Sequence, residues 1–406
     1  MPFKILIAAL LLLSTVSLQA AGLSPPAQQA LDAIEQGALD SQSDAVLVVI
    51  DGTTVLQRTS QSPPKPIETM SATKSVVALA IGALLSDGKL ESLDTPVHSY
   101  YPEWNQGRKK QITIRMLMDH SSGLQNLPRP AIEIYPASDV IQLALAAELS
   151  DDPGARFLYN NKAMNLLAGI IAKISGMPMD QYVQERLFAP MKIKPGEWFK
   201  DAAGNPHAMA GLFLNAEDMA KIGQLVLDRG QWQGKPLVRE DFIDTMLAPS
   251  KLSNEVGLLW WRRVAWVRFH ADEASLAMLE KVGARAELIQ SLRPLVGRKF
   301  ANEDELYQAL AETMGENWSN TWREELILPH GIGPWKPFHP EKGPVDTFEA
   351  NGSLGQYIVV IPKARLIAVR QIEYREDLNW MAGYADFTQR VQALANALIA
   401  SAQPAP

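Results

Sequence analysis

Cysteine is absent from this chain of 406 residues, and so is any excess of basic residues. Without cysteine there are no disulfides, no thiol nucleophile and no zinc or iron–sulfur site built on thiolates. The formal net charge of -7 argues against a nucleic-acid partner, which requires a basic face. The histidines form no H-E-x-x-H or other metal-binding spacing, so we expect no metal site. They are His98, His120, His207, His270, His330 and His339.

The N-terminus begins with a basic residue and a continuous apolar run. Lys4 is followed by the apolar run 5–13 and then by small and polar residues up to Ala20 and Ala21, a pattern typical of a secretory signal peptide. The run is short for a bilayer span, and no basic stop-transfer flank follows it, so a retained anchor is the weaker alternative. We expect a signal peptide over 1–21, a mature chain over 22–406 with no stable membrane anchor, and a periplasmic or secreted protein.

Strand patterns occur at both ends of the mature chain, and helical patterns fill the middle. Hairpins are predicted at 45–56, around Asp51-Gly52, and at 356–370. The unbroken apolar run 45–50 indicates a strand that is covered on both faces. We therefore predict an α+β fold in which helices flank an antiparallel sheet. Residues from about 90 to 250 form an all-helical subdomain, and residues from about 263 to 345 form an insertion.

The stretch beginning at Ser71 reads as the start of an apolar helix that carries a serine and a lysine. Ser71 and Lys74 are three residues apart, which places both side chains on one face of a helix. The positive end of a helix favours an oxyanion near Ser71, and a lysine buried there loses its proton more readily. This pairs a nucleophile with a base. The alternative is an ordinary helix N-cap at Ser71.

Three motifs in order carry a family resemblance: Ser71-x-x-Lys74, Tyr159-Asn160-Asn161 and the segment 351–356. Their order resembles that of the serine beta-lactamase and penicillin-binding protein superfamily, in its class C-like branch. The segments 70–104, 112–124, 153–176 and 210–238 are similar to signature stretches of that branch. The resemblance covers roughly residues 44–262 and 346–400, leaves out the 263–345 insertion, and implies a beta-lactamase/transpeptidase-like fold.

The resemblance assigns roles to individual residues. Ser71 matches the nucleophile that is acylated, Lys74 the group that helps to deprotonate it, and Tyr159 the tyrosine that shares proton transfer. Asn161 matches an asparagine that bonds the lysine and a substrate carbonyl. A core phenol is the alternative for Tyr159, and an N-cap of a helix starting at Lys162 is the alternative for Asn161.

The oxyanion hole implied by the resemblance consists of two backbone N–H groups, one from Ser71 and one from Ser353. Gly352 lets the strand lie close to the substrate. At Ala350 and Asn351 the sequence departs from the family, because Ala350-Asn351-Gly352 stands where a Lys-Thr-Gly triplet is usual. That lysine holds a substrate carboxylate, and Asn351 offers only a polar contact.

The resulting prediction is a secreted serine hydrolase that acts through an acyl-enzyme, without cofactors, on a small-molecule ester, amide or beta-lactam. Small esters are favoured because the lysine is missing. A beta-lactamase or D-Ala-D-Ala carboxypeptidase is the alternative, and a penicillin-binding-like fold that binds ligand with little turnover is the alternative from another class.

Two further features of the sequence allow more than one interpretation. His120 precedes Ser121 and Ser122 and suggests a dyad, but in the family that this chain resembles the loop is structural, so we interpret His120 as structural. Tryptophans cluster in or beside the insertion, which suggests a lid or an apolar acyl pocket, with helix packing or a dimer surface as alternatives. They are Trp260, Trp261, Trp266, Trp318, Trp322 and Trp335.

Overall fold

The computed structural model describes residues 22–127, 129–376 and 386–402. The predicted signal peptide 1–21 lies outside the described residues. Within the described ranges, no helix combines the length and the apolar character needed to cross a bilayer. The described chain divides into two compact units, the first ending at Arg263 and resuming at Thr347, and the second comprising Val264–Asp346.

The strands of the described ranges are numbered in chain order. They are β1 Ala45–Ile50, β2 Thr53–Thr59, β3 Ile67–Glu68, β4 Phe213–Leu214, β5 Gln231–Trp232, β6 Lys235–Pro236, β7 Trp261–Val264, β8 Val267–His270, β9 Lys299–Phe300, β10 Glu341–Lys342, β11 Val345–Gly352, β12 Gln356–Ile361 and β13 Leu366–Gln371.

The α-helices of the same ranges are numbered likewise. They are α1 Pro25–Asp40, α2 Thr73–Ser86, α3 Ile114–Met118, α4 Pro130–Glu133, α5 Val140–Ala146, α6 Asn161–Met164, α7 Leu166–Ser175, α8 Met179–Val183, α9 Ala189–Met191, α10 Ala216–Leu227, α11 Glu240–Leu247, α12 Glu273–Lys281, α13 Ala286–Leu292, α14 Glu303–Met314, α15 Trp318–Trp322, α16 Leu328–His330 and α17 Phe387–Ala402.

A six-stranded sheet in the order β2-β1-β13-β12-β11-β7 forms the centre of the first unit. The pairings from β2 through β11 are antiparallel. Because alternate residues of a strand point to opposite faces, Val46 and Val48 pack with α1 and α17, whereas Leu47 and Val49 join the larger core on the other face. The apolar run of β1 is therefore buried on both sides, and the expected α+β class is confirmed.

Helix α2 lies inside the larger core. All of its residues from Thr73 to Leu85 are buried, which explains why apolar residues surround the whole helix and do not form a single stripe. Helix α11 packs against it, and a Cβ at Gly82 would lie 2.4 Å from the ring of Phe242. The absence of a side chain at Gly82 is what lets the two helices approach.

The second unit has a core and a sheet of its own. Strands β10, β8 and β9 pair in that order, and residues from α12 to α16 bury a separate apolar cluster. Trp322 is fully buried there and donates its Nε1 hydrogen to the Ile332 carbonyl. Of the tryptophans noted in the sequence, Trp322 is thus used for helix packing.

The α2–α11 contact gives a stability prediction. Gly82→Ala gains about 1 kcal/mol of helix propensity but overpacks the core at a cost of about 1–3 kcal/mol. We therefore expect a net loss of stability in urea titrations. In a Phe242→Leu background the ring that causes the clash is gone, so the loss from Gly82→Ala should shrink. Equal losses in the two backgrounds would contradict this packing argument.

Candidate active site

Ser71 lies in the 3₁₀ turn Met70–Ala72, which runs directly into α2. This places the Lys74 side chain one turn further along the same face. Lys74 Nζ lies 3.0 Å from Ser71 Oγ and donates a hydrogen bond of 2.7 Å to the Met209 carbonyl. The spacing read from the sequence therefore brings the hydroxyl and the amine into direct contact.

The Lys74 amine is removed from water. Its side chain is buried among the core residues of α2, and this burial lowers the pKa of Lys74 below its ordinary value of 10.5. The nearby Tyr159 acts in the opposite direction. Lys74 Nζ also lies 4.9 Å from the centre of the Tyr159 ring. A buried amine with a lowered pKa is suited to accept a proton from Ser71.

His120 holds the backbone around Tyr159 in place. The Leu158 N–H donates to the His120 carbonyl at 2.8 Å, and the Asn160 N–H donates to His120 Nδ1 at 3.2 Å. The His120 ring lies 4.5 Å from the Tyr159 ring. His120 therefore fixes the chain on both sides of Tyr159, which agrees with its interpretation as a structural residue.

Burial and the charge of Lys74 lower the pKa of His120 to about 3. The imidazole is accordingly neutral at ordinary pH. Because its Nδ1 accepts the Asn160 N–H, its proton resides on Nε2. His120 has φ 58°, a left-handed conformation that histidine adopts more readily than most residues.

Asn161 is the first residue of α6, and the preceding residue, Asn160, is the N-cap of this helix. The Asn160 Oδ1 atom accepts the Ala163 N–H at 2.9 Å, so the alternative role proposed for Asn161 belongs to Asn160. The Oδ1 atom of Asn161 is buried and has no hydrogen-bond partner among the described residues. Such an atom is costly unless a ligand or water pairs with it.

Gly352 brings the end of β11 onto the turn that carries Ser71. A Cβ at Gly352 would lie 2.4 Å from the Thr69 carbonyl oxygen and 2.9 Å from the Ser71 nitrogen. Only a residue without a side chain permits this approach. Ser353, the next residue, is exposed and lines the cleft together with Asn351.

These residues surround a cleft of about 530 Å³. Ser71, Tyr159, Asn161, Asn351, Gly352 and Ser353 all line it, so the structure brings together the residues that were predicted from three separate motifs. Lys74 lies behind Ser71, in a smaller space of about 10 Å³ that Tyr159 and His120 also border.

Other residues of the site were not predicted. The Met209 carbonyl accepts from Lys74, and the Asn126 amide donates to the Tyr159 carbonyl at 3.1 Å. Trp261 is one of the tryptophans in or beside the insertion, and its ring stacks on that of Tyr159 with the ring centres 6.2 Å apart. Every residue has a backbone carbonyl, so the sequence does not reveal which one accepts from Lys74. The family-like segment 210–238, which begins directly after Met209, is the nearest indication in the sequence.

Ala350, which is fully buried, stands at the position of the missing family lysine, and the next residue, Asn351, belongs to a closed charge network. Asn351 Nδ2 donates to Glu349 Oε1 at 2.9 Å, and Arg263 Nε donates to the same oxygen at 2.8 Å. Thr388 Oγ1 donates to the other oxygen of this buried carboxylate at 2.7 Å. Arg263 is thus already paired, and Asn351 offers a neutral amide at this wall of the cleft.

Comparison with known proteins finds relatives that are similar in sequence or in fold. PbpX of Bacillus subtilis (strain 168), named as a penicillin-binding protein, is 30% identical over 182 residues, which are 39% of this chain and 45% of that protein. The 6-aminohexanoate-dimer hydrolase of Paenarthrobacter ureafaciens is 23% identical, over 53% of this chain and 59% of that protein. The chain thus matches only about half the length of these curated relatives.

A solved penicillin-binding protein homologue from Caulobacter crescentus shares the fold, with a TM-score of 0.59 at 16% identity over 94% of this chain and 99% of that chain. The family model described as Beta-lactamase matches residues 31–372. That match includes Ser71, Lys74, Tyr159 and the end of β11. The chain therefore belongs to the beta-lactamase family.

Proposed function

We propose that this protein is an exported serine hydrolase that acts through an acyl-enzyme and prefers small, uncharged esters. The observation that carries the proposal is the 3.0 Å contact between Ser71 Oγ and the buried amine of Lys74. A nucleophile beside an amine whose pKa is lowered by burial is an arrangement suited to acyl transfer.

In the first half-reaction, neutral Lys74 takes the proton of Ser71, and Ser71 Oγ attacks the carbonyl carbon of the substrate. The backbone N–H groups of Ser71 and Ser353 hold the oxyanion, an assignment supported by the close approach of Gly352 to Ser71. The tetrahedral intermediate collapses as Tyr159 or Lys74 protonates the leaving alcohol or amine, which leaves Ser71 acylated.

In the second half-reaction, water attacks the acyl-enzyme while Lys74 or Tyr159 accepts its proton, and the carboxylic acid leaves as Ser71 regains its hydrogen. The space of about 10 Å³ beside Lys74, Tyr159 and His120 is close to the smallest volume that admits one water. The unpaired Oδ1 atom of Asn161 is an acceptor for a donor on the substrate or for a bound water.

The preference for uncharged substrates follows from the charge network at Asn351. A substrate carboxylate placed there meets a neutral amide, because the Arg263 guanidinium is held by Glu349. Beta-lactams and D-Ala peptides carry such a carboxylate, whereas simple esters do not. Methionine, tyrosine and tryptophan side chains in the cleft wall suit a small apolar acyl group.

Export is part of the proposal and is supported by the basic and apolar N-terminal sequence. We expect the intact mass of protein recovered from a periplasmic fraction to correspond to cleavage near Ala20 or Ala21. Full-length protein confined to the cytoplasm would contradict export and would leave the hydrolase proposal unaffected.

The nucleophile is tested with p-nitrophenyl acetate and butyrate, nitrocefin and a fluorophosphonate probe. Turnover of both esters should fall by at least about 10³-fold in Ser71→Ala, because the acylated atom is gone. The probe should label Ser71, and nitrocefin should turn over slowly. Ser401→Ala removes an exposed hydroxyl of α17 and serves as the control, with rates equal to those of the wild type.

Each other outcome has a definite meaning. Activity that survives Ser71→Ala would show that the nucleophile is another residue. Fast nitrocefin turnover would overturn the ester preference in favour of a beta-lactamase. A wild type with neither label nor turnover would favour a fold that binds ligand without hydrolysing it.

The pH profile tests the base. Lys74 is active when neutral, so kcat/KM should rise with pH, with a midpoint below the ordinary lysine value of 10.5. Lys74→Arg should abolish the rise, because a guanidinium stays protonated. His120→Asn should reduce the rate by misplacing Tyr159 but keep the midpoint, since His120 is neutral above about pH 3. A rise that is lost in His120→Asn and kept in Lys74→Arg would assign the titration to His120 instead.

A further inference from the structure

The second unit brings two histidines and a carboxylate together on its surface. His270 is the last residue of β8, and Asp272 is the N-cap of α12. His339 follows a 3₁₀ turn and lies 67 residues after Asp272 in the chain. Their nearest nitrogen and oxygen atoms all lie within 4.8 Å of one another. No metal-binding spacing is visible in the sequence, because His339 comes from a segment far from His270 and Asp272.

The distances suit a shared divalent ion. His339 Nε2 lies 3.1 Å from Asp272 Oδ1, and His270 Nε2 lies 3.8 Å from Asp272 Oδ2. A tetrahedral ion with ligand bonds of about 2.1 Å separates its ligand atoms by about 3.4 Å, which lies within the 4.8 Å that encloses one ligand atom from each of the three residues. Both histidines are partly exposed, so small side-chain rotations complete the geometry.

The backbone beneath the three side chains is anchored. Phe269 and Phe338, which precede the two histidines, are buried in the core of the second unit. Asp272 accepts the Ser275 N–H at 2.9 Å through Oδ1, which leaves Oδ2 outside the helix cap. The two imidazole rings stack with their centres 4.9 Å apart, and the Nε2 atom of each ring faces the Asp272 carboxylate. Such support from buried neighbours limits the reorganisation that an ion requires.

We propose that His270, Asp272 and His339 form a binding site for one divalent transition-metal ion of the Zn²⁺ type. Two imidazoles and one carboxylate are ligands that Zn²⁺ and its neighbours in the first row prefer, and the remaining positions are open to water. Lys299 of β9 pairs with His270 of β8, so a positive charge lies beside the proposed site. The affinity for the metal ion therefore comes from coordination and not from a surrounding negative charge.

The experiment is a titration of the metal-free full chain with ZnCl₂ by calorimetry, and with CoCl₂ followed by visible absorption. We expect one equivalent of Zn²⁺ per chain and the absorption bands of tetrahedral Co²⁺. His270→Ala and His339→Ala should each weaken binding by at least about tenfold. His330→Ala removes an exposed histidine of the same unit outside the triad, and should bind as the wild type does.

Asp272→Asn separates coordination from helix capping. Asparagine is as good an N-cap as aspartate, so the stability of α12 should be kept while metal affinity falls. Three outcomes would overturn the proposal. They are no Zn²⁺ binding by the wild type, unchanged binding in both His270→Ala and His339→Ala, and an equal loss of binding in His330→Ala. The Ser71→Ala protein should bind Zn²⁺ normally, so failure of the metal site and failure of the hydrolase proposal are distinguishable.

Discussion

The burial of the Lys74 amine is the constraint on which the site depends. An ammonium is costly in an apolar core, and it is tolerated here because Ser71 Oγ and the Met209 carbonyl lie within hydrogen-bond distance of Nζ. The same burial lowers the pKa of Lys74 and so makes the amine available as a base. An apolar helix around the lysine is therefore a requirement of the proposed chemistry as well as of packing.

The cleft forms where two independent segments approach that helix. On one side His120 ties the backbone before and after Tyr159, and the phenol is thereby placed beside Lys74. On the other side Gly352 allows the end of β11 to contact the Ser71 turn. Neither segment forms the cleft alone, because each supplies one wall. Precise placement of acyl-transfer groups usually depends on such rigid supports.

The cleft wall at Asn351 presents a neutral side chain. Glu349 is buried and fully engaged by Arg263, Asn351 and Thr388. These hydrogen bonds pair the buried Glu349 carboxylate within the protein, and the neutral amide of Asn351 lines the cleft. A substrate that needs a cation gains nothing from this wall, which is the physical basis for the proposed preference for uncharged esters.

Local pattern and spacing determined much of the molecule. The hairpins, the apolar helix after Ser71, the pairing of Ser71 with Lys74 and the α+β class all followed from the sequence, because each depends on residues close together in the chain. Tertiary structure alone decided which carbonyl receives Lys74, that Trp261 stacks on Tyr159, that Asn160 caps the helix, and that His270, Asp272 and His339 meet. Backbone acceptors carry no residue signature, and contacts between distant segments are fixed only when the whole core packs.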